Sequence, residues 1–479
     1  MGKSVSRNSA FSMINKGLSV VFPLVTVSYI SRVLGAAGIG EVSSAQNLAT
    51  YFSMAAALGI PSYGVRAIAQ SKRDENSCNK TFSELFTINL ISIFFIALIN
   101  PFNINDIEHD NTRENQCQCR IRIINLKTEC GNQIYNGCYN GGYGYIMIRS
   151  FVIKIVSLLL LFIFVRKKSD LVAYAFILCF GSIGNYVLNF INLKRYVKLS
   201  FCNISLKKHI RPIMTFFVSV IAIEIYSLLD VSMLTVMSNA TSIGYYSNST
   251  KIVKAAANTL TGISAVLMPR FSYLFSEDNK SEIKKLSRQF LNVTFLISVP
   301  CCCGIILVAD QIVEVLFGVE FLPAISTIRI LSILIVLMPL SGGVFCQLLL
   351  TAGKEKCYLA CVLIGTVVNA VLNYLLIPTF TQNGAAIASV VAEFTVSISM
   401  IVATRRTIKV NMCCRDVFSI LTSAFVMSLT LVLCHKLFLG QAVWMRLLVE
   451  IVIAVLVYFL CVFMLKNSAS SKIIRMIKK

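Results

Sequence analysis

The sequence predicts an all-α, polytopic membrane protein, and three observations carry that expectation. The 479 residues are 56% hydrophobic and only 14% charged, with a mean hydropathy of +0.75. Apolar runs of about 20 residues, enough helix to cross a bilayer core about 30 Å thick, recur along the chain with short polar breaks between them. The formal net charge of +22 sits mostly in those breaks, where it reads as a topology signal and not as one basic face for nucleic acid.

Thirteen spans are expected, at 11–33, 44–66, 82–102, 146–165, 171–193, 212–237, 249–274, 290–309, 324–350, 357–377, 384–404, 417–438 and 443–465. The first follows Lys3 and Arg7, contains Lys16 and is too long for a cleaved leader, so it reads as a permanent helix. The second is the least apolar. The remaining spans are separated by basic breaks at 194–211, 280–288 and 405–415, an acidic break from Asp310 through Glu314 to Glu320, and a basic tail beyond Lys466. The 17 cysteines fall largely inside spans, as Cys301, Cys302, Cys303 and Cys361 do, and there they act as small apolar residues, not as a disulfide framework.

Basic breaks face the cytoplasm, and applying that rule exposes a missing crossing. With both termini cytoplasmic, three spans leave the chain outside at Asn100, and the two from 146 to 193 then leave the strongly basic 194–211 stretch outside as well. One further crossing between 103 and 145 corrects every break except Arg166–Lys168. The sequence there, "NQCQCRIRIINLKTECGNQIYNGCYNGG" from 115 to 142, cannot be that helix: Arg120, Arg122, Lys127 and Glu129 would cost roughly 2.5–3.5 kcal/mol each near the bilayer centre. A zinc site on Cys117, Cys119, Cys130 and Cys138 lacks paired CxxC spacing, and a polar loop outside the membrane is a second reading. The preferred expectation is that about 103–142 is translated out of frame, with the frame restored at "GYGYIMIRS", in place of a fourth helix.

A weak internal repeat is visible. "AAGIGEVSS" at 36–44 aligns with "ATSIGYYSN" at 240–248, pairing Ala36 with Ala240, Ile39 with Ile243, Gly40 with Gly244 and Ser43 with Ser247, and Asp74 falls opposite Asp278 at the same offset. Parallel six-helix repeats are a transporter layout with the substrate path between the halves. The expected organisation is an N-terminal lobe at 1–193, a basic cytoplasmic linker at 194–211, a C-terminal lobe at 212–404, and two extra helices with a basic tail at 405–479.

Polar stripes at 3- and 4-residue spacing run through the spans. Ser, Thr and Asn on them read chiefly as interhelical glue. Ionisable residues at depth are costly unless they meet water or a partner, so Lys16, Lys154, Lys251 and Lys254, with Asn258, are the candidate lining of a wet, mostly cationic cavity that selects anions. Glu224, Asp230 and Glu393 are candidates for ion coupling or pairing, Asp230 with Lys251 or Lys254 above all. Arg66, Arg149 and Arg270 lie at expected cytoplasmic ends, where they either mark an entrance or snorkel to headgroups. No catalytic group, metal site or cofactor is expected, and three histidines leave little acid/base chemistry for a membrane glycosyltransferase or polymerase.

"NKGLSVVFPLVTVSYISRVLGAAGIGEVSSAQNLATYFSMAAALGIPSYGVRAIA" at 15–69 resembles the opening of bacterial O-antigen and capsule flippases, with its Pro-Leu pair, Arg-Val-Leu-Gly turn and Arg-x-Ile-Ala close. "LLDVSMLTVMSNATSIGYYSNSTKIVKAAANTLTGISAVLMPRFSYLF" at 228–275 looks like the same family's seventh and eighth helices. The resemblance covers the chain apart from about 103–142. It implies two six-helix lobes in a V, related to multidrug and oligosaccharidyl-lipid exporters, plus two C-terminal helices: about 14 transmembrane helices with the fourth disrupted. The implied substrate is an oligosaccharide on undecaprenyl diphosphate, flipped across the bacterial cytoplasmic membrane by alternating access. Membrane lipids and polysaccharide polymerase machinery are the implied partners, and the family's cavity cations would correspond to Lys16, Lys154, Lys251 and Lys254. A multidrug/cation antiporter, a peptidoglycan-precursor flippase of the same fold and an inactive frameshifted remnant are the alternatives.

Overall fold

The computed structural model describes residues 2–71, 74–99, 143–193, 204–264, 267–405, 408, 410, 413–438 and 440–468. The segment 103–142 therefore lies outside the described residues. What is described is helical, with short turns and no strand among the described residues.

The helices are α1 (Gly2–Ala57), α2 (Ile60–Ser71), α3 (Glu75–Ile99), α4 (Tyr143–Phe164), α5 (Leu171–Leu193), α6 (Lys207–Met237), α7 (Ala240–Ser264), α8 (Met268–Ser276), α9 (Lys280–Leu307) and α10 (Ala309–Leu316). They continue with α11 (Ala324–Leu331), α12 (Leu334–Met338), a π-helical turn (Pro339–Phe345), α13 (Cys346–Thr351), α14 (Glu355–Arg405), α15 (Cys414–Leu437) and α16 (Val443–Met464). Among the described residues eight helical stretches are long and apolar enough to span a membrane, and three of them, Phe22–Ser71, Ala324–Thr351 and Glu355–Arg405, run through internal breaks. The protein is a multi-pass membrane protein.

The breaks have local causes. Gly35 (φ 73°) turns α1 at the end of its first arm, and Thr381 (φ 49°) divides α14 three residues after Pro378, between the two spans expected there. The expected span at 44–66 is displaced: the second arm of α1 ends at Ala57, Leu58 and Gly59 take positive φ, and α2 is a separate short helix burying Ile60, Gly64, Ala67 and Ile68 on one face. Likewise the expected 249–274 span ends at Ser264, and α8 follows as a second short amphipathic helix opened by Pro269. The 324–350 span is present but segmented, with Pro339 opening its π-turn.

The chain forms two compact units, Met1–Thr26 with Arg32–Thr235 and Asn239–Gly244, and Val27–Ser31 with Val236–Ser238 and Tyr245–Lys479. In the first, Ala57, Ile60, Ala67, Ile68, Phe82, Leu85 and Ile213 form one apolar core. The second arm of α1 is zipped to α6 by polar side chains. Asn47 donates to the Leu228 carbonyl at 3.0 Å, Tyr51 and Ser232 share a hydrogen bond at 3.0 Å, and Thr235 donates to Ser44 at 3.1 Å. Between α4 and α5 the Asp170 carboxylate accepts the Arg166 and Lys167 backbone N–H groups, each at 2.9 Å, which lowers its pKa.

In the second unit α9, α15 and α16 pack as a trio. Ile420, Ala424, Met427 and Leu431 recur every three or four residues on α15, Ala454, Tyr458 and Val462 every four on α16, and these stripes meet Leu296 of α9. The Tyr458 hydroxyl donates to the Leu296 carbonyl at 2.8 Å, so the buried phenol leaves no orphan donor. All twelve cysteines among the described residues are free thiols.

Candidate functional site

The repeat seen in the sequence is a structural contact. Within the first unit, a methyl group on Gly40 would overlap the Ala240 carbonyl, and one on Gly244 would overlap the Ala36 carbonyl. The two partnerships exchange positions at the constant offset that separates Ala36 from Ala240. The same exchange relates Thr235 bonded to Ser44 and, in the second unit, Asn248 donating to Ser31 at 2.8 Å. Ile39 and Ile243 are both buried. The offset extends to Arg66 and Arg270, exposed on the short helices α2 and α8 that follow each repeat's second arm.

On α7, Lys251, Lys254 and Asn258 keep the spacing that puts them on one side of a helix; Lys251 and Asn258 are exposed and Lys254 is half-buried. Two lysines on one side of a helix in a membrane protein need water or an anion at that surface. Lys154 on α4 is half-buried with its ammonium 5.9 Å from the Phe22 ring centroid, and Phe151 meets the same ring edge-on at 6.3 Å. That geometry leaves a cation held at an aromatic face within the first unit. Lys16 lies on α1, and its side chain is outside the described residues.

Glu393 on α14 is buried and accepts a hydrogen bond from Ser341, which stands on the π-helical turn. Tyr246 of α7 and Ser389 of α14 share a bond at 2.8 Å one turn away, and Asn373 donates to Asn369 at 3.1 Å. The π-turn is what allows this cluster: it widens the helix locally and brings Gly343 so near Ser264 that a methyl group there would lie 2.6 Å from the Ser264 hydroxyl. Of the other acids, Asp230 is buried and Glu224 half-buried on α6. Arg149 is buried, with its guanidinium 5.9 Å from the Tyr145 ring centroid, so it is inside the first unit and not at its surface.

Two charged clusters were not anticipated from sequence. In the first unit, fully buried Glu84 accepts from the Ser205 backbone N–H at 2.9 Å, from His209 Nε2 at 2.9 Å and from Lys208 at 2.8 Å, while His209 Nδ1 pairs with the Tyr63 hydroxyl at 2.8 Å. In the second unit, Gln311 donates to Glu450 at 2.7 Å and meets His435 Nδ1 at 3.0 Å. Neither has a local motif: the partners of Glu84 lie more than a hundred residues away, and only Glu84's place at a span edge hinted at a neighbour.

The trio of α9, α15 and α16 also carries a groove of about 300 Å³ lined by residues such as Pro300, Ile305, Met427, Val455 and Phe459, almost wholly apolar.

Comparison with known proteins decides the family. Residues 5–275, more than half of the chain, match the family described as "Polysaccharide biosynthesis protein". The chain belongs to that family. Among curated relatives, a protein of Escherichia coli K12 named "Putative O-antigen transporter" is 23% identical over 422 residues, 84% of this chain and 97% of that one. Among solved structures, "Lipid II flippase MurJ, inward closed conformation" superposes with a TM-score of 0.76 at 13% identity, covering 98% of this chain and all of that one. An inward-facing multidrug resistance MATE family transporter gives 0.67 at 16% identity, covering 81% and 95%. This member of the polysaccharide biosynthesis family therefore has the MATE-like, all-helical membrane fold that the sequence predicts.

Proposed function

We propose that this protein is a flippase that carries undecaprenyl-diphosphate-linked oligosaccharide units of O-antigen or capsule across the bacterial cytoplasmic membrane by alternating access. The observation that carries the reading is the Lys251, Lys254 and Asn258 stripe on α7 of a polysaccharide-family chain. Ammonium groups sunk in a membrane bundle persist where water and a polyanion reach them, and a diphosphate is such a ligand. The name of the Escherichia coli relative, "Putative O-antigen transporter", supports the same substrate class. The protein is a transporter in this reading and breaks no covalent bond.

Lysines suit the role because each is a compact charge on a flexible stem that follows a phosphate as it moves. Lys154, beside Phe22, and Lys16 supply further positive charge in the first repeat. Asparagine at 258 offers neutral hydrogen bonds to phosphate oxygens or sugar hydroxyls. The apolar groove beside α16 gives a long prenyl chain a sheltered track. Inside-negative membrane potential favours outward movement of anions by roughly 2.3 kcal/mol per charge per 100 mV, an advantage that co-moving cations reduce. Glu224, Asp230 and Glu393 are the groups available to couple flux to protons or sodium. The cycle follows differential binding of the loaded lipid to inward- and outward-open states.

Complementation tests this directly. Expressed in a bacterium lacking its own repeat-unit flippase, the chain restores surface polysaccharide, and lipid-linked units stop accumulating on the inner leaflet. Restored export of cationic drugs without restored polysaccharide would assign the antiporter reading instead.

A further inference from the structure

At the opposite end of the α9–α15–α16 trio from Asp310 and Glu450, the structure contains a cavity of about 460 Å³, within the size range of small-ligand sites. Each of the three helices or its flanking turn contributes a cation to it: Lys285 and Arg288 from α9, Arg415 from the start of α15 and Lys466 from the turn just past the end of α16. We propose that this cavity binds a phosphate group, with the headgroup phosphate of an acidic phospholipid as its ligand in the membrane. The site is distinct from the α7 lysines and independent of the flippase reading.

The charge balance is the first argument. The one carboxylate in the lining, Asp416, is buried and already accepts both the Ser468 backbone N–H at 3.0 Å and the Ser468 hydroxyl at 2.8 Å. Lys285 pairs with Glu282 at 3.0 Å. Among the described residues Arg288, Arg415 and Lys466 have no acidic partner, and all three side chains are exposed at the cavity. Three uncompensated cations around one concavity repel one another, and an anion relieves that repulsion.

The second argument is construction. Lys466 sits in the left-handed region (φ 50°), where a glycine or asparagine is ordinarily found after a helix end. Its backbone is held there because Lys466 donates to the Phe463 carbonyl at 3.1 Å and Asn467 to the Val462 carbonyl at 3.3 Å. Asn467, completely buried, accepts from Asn292 of α9 at 3.0 Å and donates to the Asp416 carbonyl at 3.4 Å. The end of α16 is thereby clasped to both neighbours, and a lysine occupies the one backbone position that favours another residue type.

Placement is the third. Arg288, Arg415 and Lys466 come from three sequence segments whose basic character assigns them to the cytoplasmic side, where acidic lipids give the membrane surface its negative potential. Guanidinium groups bind phosphate oxygens through paired N–H donors, and Lys466 adds a point charge.

The test uses the purified full-length protein in a neutral detergent, read by native mass spectrometry with added phosphatidylglycerol or phosphatidylcholine. Phosphatidylglycerol is expected to be retained preferentially. Arg288→Gln, Arg415→Gln and Lys466→Gln should each weaken retention about fivefold, and the triple variant by about two orders of magnitude. Arg288→Lys with Arg415→Lys should keep most of it. Because these side chains are exposed, unchanged thermal melting of each variant separates lost binding from lost folding. Inorganic phosphate that fails to displace the lipid assigns the headgroup; phosphate that binds alone, with the same three-residue dependence, assigns a free anion to the same site. Equal retention of the two lipids, or an unaltered triple variant, overturns the proposal.

Discussion

Gly40 and Gly244 each press bare backbone against a carbonyl of the other repeat, Ala240 for the one and Ala36 for the other. A side chain at either position collides with main chain, which cannot rotate away as a side-chain tip can. Gly40→Ala and Gly244→Ala should therefore each destabilise the protein by about 1–3 kcal/mol or more. Thermal unfolding in detergent measures this, and since the two sites share one junction, the double variant should lose less than the sum of the singles. A melting temperature that does not move for either single variant would show that the packing is looser than described.

Lys251→Ala and Lys254→Ala should reduce surface polysaccharide in complementation, and the pair together with Lys16→Ala should abolish it, while protein level and melting stay close to those of the parent. The loss should appear in transport because exposed or half-exposed lysines add little to stability. Normal surface polymer with all three replaced rejects the cavity assignment.

Glu84 holds three donors in order at the start of α6. Replacing it with Ala removes charge-assisted hydrogen bonds worth about 1.5–3 kcal/mol each in favourable settings, and Lys208, half in solvent, recovers part of that by hydration. The expected net cost is about 2 kcal/mol, visible as a lower melting temperature and as faster proteolysis near residue 205. His209→Phe should show a smaller loss, because the ring still packs against Tyr63 and Phe216 would remain its neighbour's partner.

Translating the coding DNA of residues 103–142 in its other two frames should yield an apolar stretch of about 20 residues. Restoring that frame should raise the yield of folded protein and its activity together, because it would supply the crossing that the alternation of basic breaks calls for. Absence of an apolar segment from both frames removes the frameshift reading.

Much of this protein was legible in its sequence because the bilayer imposes a one-dimensional rule. A helix that must satisfy its own backbone in lipid announces itself as an apolar run, so the helical class and most spans could be read directly. The α7 stripe was legible for the same reason, since 3- and 4-residue spacing alone puts Lys251, Lys254 and Asn258 on one side. The displaced span at 44–66 was not, because Leu58 and Gly59 interrupt an apolar run whose hydropathy is continuous; positive φ leaves no trace in composition.

By itself, then, the sequence determined the membrane class, the polysaccharide-family signature and a repeat faint enough to be chance. Tertiary structure alone decided that the repeat is a reciprocal contact through two glycines, that Arg149 is buried, and which distant residues share a charge: Glu84 with His209, and Arg288 with Arg415 and Lys466. The division has one physical cause. Transfer into lipid depends on each residue's own neighbourhood in the chain, whereas hydrogen bonds, ion pairs and close backbone approaches depend on segments that meet only after the chain has packed.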